Sequence, residues 1–167
     1  MPIMAINKNL SVFFKKGFNC VFAIVRNIGG PFVRIKVFQK LKKTGLSIFK
    51  AIDKSIIVST NVKWGTGIFV GKDAIIDINS CIKDRMIINT GLIIEHGYLI
   101  GNFVPVFFGG GLLCGDIKVG DNTHIKANSR IKQRIIIGIN IMIGMGSVIL
   151  NNIKDDIITY SKYVRGN

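Results

Sequence analysis

The sequence predicts an all-β main domain, a parallel β-solenoid of roughly five coils, preceded by a short partial α/β segment. Three observations predict it: an apolar residue every six positions, a glycine column beside it, and a composition rich in Ile and Val. Stepping by six from Val58 meets Trp64, Val70, Ile76, Ile82, Ile88, Ile94, Ile100 and Val106. One step of seven reaches Leu113, and steps of six resume through Val119, Ile125, Ile131, Ile137, Ile143 and Ile149. All sixteen positions are apolar. A period of six matches neither helical spacing nor long alternating strands. It matches a short strand plus a turn, three to a coil, with each apolar residue pointing inward onto its counterpart eighteen residues away.

Gly follows the apolar residue at Gly65, Gly71, Gly101, Gly120, Gly138 and Gly144, where a Cβ is expected to obstruct the turn. The seven-residue step at Gly109-Gly110-Gly111 predicts an outward bulge. After Ile149 the pattern is expected to stop, because Asp155 stands where the next apolar residue belongs, with Asp156 beside it. The domains are therefore expected as residues 1–55, a partial α/β segment; 56–157, the solenoid; and 158–167, a tail that folds back or pairs with another subunit. In the first segment Val21 to Val25 and Leu46 to Ile52 are candidate strands. Pro31 to Lys43 interleaves apolar and basic residues as an amphipathic helix, with Gly45 just beyond its end.

Apolar residues make up 49% of the chain and mean hydropathy is +0.42, enough for a core, yet no apolar run reaches membrane-span length. No secretory signal is expected at the N-terminus. Cys20, Cys81 and Cys114 are far apart and lack metal-site spacing, which argues against a disulfide framework or metal centre and suits the cytoplasm. The net charge of +14 owes much to residues 1–50, which hold ten Lys or Arg and no Asp or Glu. No nucleic-acid-binding motif accompanies them, so no nucleic-acid partner is expected. Weak peripheral contact with an anionic membrane through residues 1–50 stays open.

The segment INTGLIIEHGYLIG, Ile88 to Gly101, resembles the hexapeptide-repeat acyltransferases of the sialic-acid O-acetyltransferase and amino-sugar N-acetyltransferase (NeuD) type. CGDIKVGDNTHIKANSRIKQ from Cys114 and IGINIMIGMGSVILNNIKDD from Ile137 continue the match. FAIVRNIGGPFVRIKVFQKLKKTG, from Phe22, resembles the closing part of that family's sugar-nucleotide domain, so residues 1–55 are expected to be its remnant. The resemblance implies a left-handed β-helix, a homotrimer with active sites between subunits, acetyl-CoA as acyl donor, and a sugar or sugar-nucleotide acceptor. It implies an acetyltransferase of surface-glycan biosynthesis acting on a hydroxyl or an amine. His96 matches the catalytic histidine and would take the acceptor's proton; an imidazole suits that role near neutral pH. Asn89 matches a residue that positions the acceptor. Gly115, Ala127 and Gly144 match positions flanking the pantetheine arm, and Lys132 and Arg134 are candidates for the CoA phosphates.

Read without the resemblance, His96 lies two residues past inward Ile94, in a turn, beside Glu95, a candidate catalytic carboxylate. His124 precedes inward Ile125 and reads as structural or cofactor-adjacent. The chain departs from the family pattern at Gly97, where an acidic or polar residue is usual, at Pro105, at Lys126 and in its closing SKYVRGN. These departures keep a second expectation open: a degenerate, catalytically inactive solenoid serving as a structural or assembly module.

Overall fold

The computed structural model describes residues 20–21, 36, 38–41, 43, 47–102, 105–106 and 110–159. The chain divides into two compact units, Met1–Lys50 and Ala51–Asn167. In the first, Cys20–Val21 pairs in parallel with Ser47–Ile48. Lys36, residues 38–41 and Lys43 between them are helical. Phe38 and Leu41 are buried while Lys36, Lys40 and Lys43 are exposed, as the three-residue spacing of an amphipathic helix requires. Phe22 to Val25 and the rest of the expected helix lie outside the described residues.

The second unit is the solenoid, with three parallel sheets as its faces. Face I stacks Ala51–Ile52, Phe69–Val70, Ile87–Ile88, Pro105–Val106, His124–Ile125, Met142–Ile143 and Ile158–Thr159. Face II stacks Ile57–Val58, Ile75–Ile76, Ile93–Ile94, Leu112–Leu113, Arg130–Ile131 and Val148–Ile149. Face III stacks Lys63–Trp64, Cys81–Ile82, Leu99–Ile100, Lys118–Val119 and Ile136–Ile137. Each of the sixteen repeat positions is the second residue of its strand. Such positions as Ile76, Ile82, Ile94, Leu113, Ile131 and Ile143 are fully buried. Each buried aliphatic side chain is worth about 1.5–3 kcal/mol relative to exposure.

A second inward column, missed in the sequence, stands four residues past the first. Ile68, Met86, Leu92, Ile117 and Ile141 fill it, with Ser80, Thr123, Ser129 and Ser147 interspersed. Thr123 donates to the Gly138 carbonyl of the next coil at 2.8 Å, and Ser129 to the Lys126 carbonyl of its own coil at 2.9 Å. The corner residue three past the inward position is left-handed, with φ between 54° and 67° at such residues as Asn61, Asp73, Gly97 and Asn128. Asn, Asp and Gly dominate these positions because they tolerate that region best.

Two expectations need correction. The solenoid has about six coils, not five, because Ala51–Ile52 already pairs with Phe69–Val70. Nor does it stop at Ile149. Ile153 bridges to Ile137, and Ile158–Thr159 pairs with Met142–Ile143, so the coil continues after a corner shortened by two residues. Asp155 is in register as a corner residue, its carboxylate accepting the Ile139 N–H at 2.9 Å. Residues 160–167 of the expected tail lie outside the described residues.

The glycine column also has a different cause. Gly65, Gly101 and Gly138 have no left-handed φ. A Cβ there would lie 2.7 Å from Asp84 N, 2.7 Å from Asp121 N and 2.8 Å from Asp155 N respectively. Glycine is required because the next coil's backbone passes close by.

Candidate functional site

His96 sits where face II turns into face III. The register Ile76, Ile94, Leu113, Ile131 places Ile78, His96, Gly115 and Gln133 one above another along that corner. Gly115 has no side chain, and the imidazole occupies the space: a Cβ there would collide with His96 Cε1 and Nε2 and lie 3.0 Å from Nδ1. The ring is therefore laid across the step between two coils. Its side chain stays 55% exposed, so a reactant can reach it.

Three carboxylates lie along this corner, and Asp116 is the one in contact distance of the ring. Glu95 Oε2 accepts the Gly115 N–H at 3.1 Å, so it is tied to the backbone of the coil above. Asp77, from the coil below, accepts the Ile78 N–H at 2.7 Å and the Ser59 hydroxyl at 2.9 Å. The Ile78 N–H and then the Ser59 hydroxyl hold its carboxyl below the usual carboxylate range, against a small opposing burial effect and with a contribution from His96. Asp116, from the coil above, brings Oδ1 to 3.9 Å from His96 Nδ1. Its own N–H donates to the His96 carbonyl at 2.9 Å, fixing the two backbones together. Beneath the corner, Tyr98 is buried and burial pushes its phenol well above the ordinary range.

The structure brings some expected site residues together and separates others. Glu95, His96, Gly115 and Lys132 share the II/III corner, with Arg134 one turn position further on. Asn89, Ala127 and Gly144 lie instead at the corner between faces I and II. There Asn89 Oδ1 accepts the Thr90 N–H, and the Ala127 carbonyl accepts the Gly146 N–H. The Gly144 N–H already donates to the Thr159 carbonyl at 2.8 Å. His124 is buried on the outer row of face I, opposite the His96 corner. Asp116 and Asp77 were missed. Asp116 was legible in principle, since the seven-residue step sets it one coil above Gly97. Depressions of about 330 and 590 Å³ lie near Trp64 and Cys81, and His96 lines neither. Among the described residues no group of three or more His, Cys, Asp or Glu is placed to hold a metal. No helix of the described residues is long and apolar enough to cross a membrane.

No family model matches the sequence. The solved structure of PerB from Caulobacter crescentus, in complex with CoA and GDP-perosamine, is 25% identical and superposes with a TM-score of 0.88 over 96% of this chain and 76% of that one. The acetyltransferase domain of PglB from Neisseria gonorrhoeae is 24% identical, with a TM-score of 0.74 over 80% of this chain and 65% of that one. The same domain in complex with acetyl coenzyme A gives 22% and 0.82 over 96% and 76%. In fold, this chain is similar to these acetyltransferases. Their hexapeptide-repeat β-helix is left-handed, and a coil of the opposite hand would not superpose so closely. The solenoid is thus an exception to the right-handed crossover rule.

Proposed function

We propose that the chain is an acetyl-CoA-dependent acetyltransferase that acylates a hydroxyl or amine of a sugar or sugar nucleotide in surface-glycan biosynthesis. The likeness, at 25% identity, to a protein solved with CoA and GDP-perosamine supports the reaction class, and the acetyl-CoA-bound domain shares the fold. The observation that carries it to particular residues is the exposed His96 imidazole laid over Gly115, with the Asp116 carboxylate beside it. His96 takes the proton of the acceptor hydroxyl or amine as that group attacks the thioester carbonyl. The C–S bond then breaks and the sulfur leaves with CoA. On this reading Lys132 and Arg134, on the same edge as His96, meet the anionic end of the donor.

A single copy leaves the site divided, because Asn89, Ala127 and Gly144 line a different corner. A closed ring of three copies unites the halves when face II turns toward the threefold axis, since each II/III corner then meets a neighbour's I/II corner. The outer row of face II suits burial of this kind. It runs Ile57, Ile75, Ile93, Leu112, Arg130 and Val148, with Ile57 and Val148 each 62% exposed. The enzyme acts in the cytoplasm on this reading, with Cys81 and Cys114 as free thiols.

A silent scaffold is the rival, favoured by Glu95 occupying the Gly115 N–H. His96→Ala separates the two. Turnover of acetyl-CoA with amino-sugar nucleotides is expected to fall by about 10²–10⁴-fold, with thermal stability and trimer mass unchanged. Calorimetry of the wild type is expected to give one acetyl-CoA per subunit. A folded trimer that binds no acetyl-CoA would decide for the scaffold.

A further inference from the structure

We propose that Asp116 is the positioning residue of His96, a carboxylate supplied by the next coil, and that Gly97 is the feature that admits it. The inference rests on the acetyltransferase reading for its kinetic consequences, although the pairing itself rests on geometry. An imidazole that removes a proton through one nitrogen needs the other held, so that the ring has one tautomer and one orientation. Of the three carboxylates along the His96 corner, two are committed elsewhere: Glu95 to the Gly115 N–H, and Asp77 to the Ile78 N–H and the Ser59 hydroxyl. The Asp116 carboxylate accepts no hydrogen bond among the described residues, and it faces Nδ1 at 3.9 Å. Movement of about an ångström makes this a hydrogen bond.

Gly97 explains how the carboxylate arrives there. It is the left-handed corner residue, φ 67°, and Asp116 Oδ1 occupies the position that a Cβ on residue 97 would take. A side chain at 97 and the present placement of Asp116 exclude each other. Asp116 is itself left-handed, φ 58°, and its amide is tied to the His96 carbonyl, so it cannot drift away from the corner. In action, Asp116 keeps a proton on His96 Nδ1 and leaves the Nε2 lone pair to receive the acceptor's proton.

The test is Asp116→Asn, which keeps a residue tolerant of left-handed φ while removing the charge. Long-range ¹H–¹⁵N spectra of the free protein at neutral pH are expected to give the Nδ1–H tautomer for His96 in the wild type. In Asp116→Asn the population moves toward Nε2–H. With acetyl-CoA and an amino-sugar nucleotide, kcat falls by about 10–100-fold while KM for acetyl-CoA changes by less than about twofold. The swap Gly97→Asp/Asp116→Gly, which returns an acid to the same space from the other coil, restores most of the lost kcat. Asp121→Asn, at a different corner, leaves both readouts unchanged. An identical tautomer distribution in wild type and Asp116→Asn would overturn the pairing. A tautomer change in a protein without transferase activity would uphold the pairing and remove only the acetyltransferase reading.

Discussion

The III/I and II/III corners use one structural device for two purposes. At III/I, Gly65, Gly101 and Gly138 each leave a space that an aspartate from the following coil fills: Asp84, Asp121 and Asp155. Each of those carboxylates then accepts a turn N–H, Thr66 and Asn102 at 2.8 Å and Ile139 at 2.9 Å. At II/III, Gly97 leaves a space for Asp116 and Gly115 leaves one for His96. Here neither side chain finishes on a backbone donor. The same crossing of a glycine by a polar side chain thus closes one edge and leaves the other with an exposed acid–base pair. Stability accumulates where the carboxylate is satisfied, and chemistry becomes available where it is not.

Substituting glycines is the severest way to break this comparison. Gly101→Ala puts a Cβ 2.7 Å from Asp121 N and 2.9 Å from Gly120 C, both backbone atoms that cannot rotate aside. A loss of about 2–3 kcal/mol is expected from such overpacking. Gly146→Ala meets nothing within 4 Å and carries only the strain of φ 67°, about 1 kcal/mol. Urea denaturation of the two variants measures the difference. Equal losses would show that corner conformation, not coil-to-coil approach, sets the need for glycine.

A gentler break removes one carboxylate at a time. Asp121→Ala leaves the Asn102 N–H without its acceptor and is expected to cost about 0.5–1.5 kcal/mol with turnover unaltered. Asp116→Asn, which keeps a residue tolerant of its left-handed φ of 58°, removes no hydrogen bond to the carboxylate among the described residues. Its stability should stay within about 0.5 kcal/mol of the wild type while turnover falls. The paired stability and rate measurements sort the two aspartates, and a stability loss at Asp116 equal to that at Asp121 would erase the distinction between the corners.

The legible part of this molecule is what repeats. Sixteen apolar positions were readable because inward burial leaves the same mark at every turn, and one register shift at Leu113 did not disturb it. The second inward column escaped because Ser80, Thr123, Ser129 and Ser147 break its apolar character, while the hydroxyls of Ser80, Thr123 and Ser129 are satisfied by nearby carbonyls. Asp155 was misread as a terminator because it was compared with the inward column, whereas the shortened corner after Ile149 moves it into line with Asp84 and Asp121. His96 and Gly115 were found through the resemblance and Glu95 as the neighbour of His96 in sequence, but their grouping with Asp116 depends on which residues lie across the coil boundary. That neighbourhood is set by the three-dimensional register, so residues twenty apart in sequence meet while Asn89 and His96, seven apart, stand on different edges.

The smallest expected effect sharpens the III/I side of the comparison. Burial pushes the Asp84 carboxyl up, but the Thr66 N–H, the Arg85 guanidinium at 3.3 Å and the Thr66 hydroxyl outweigh it and hold the group below the usual carboxylate range. A carboxyl depressed in the folded state stabilises the fold above its unfolded pKa, and that contribution disappears as pH falls through the folded value. Asp84→Asn should therefore melt below the wild type at about pH 5 and above, with the gap closing below about pH 4. Melting curves across that window check the sign. A gap that persists unchanged into acid would mean that the Asp84 contribution is hydrogen-bond geometry, which an amide disturbs at any pH, rather than the charge that the corner selects.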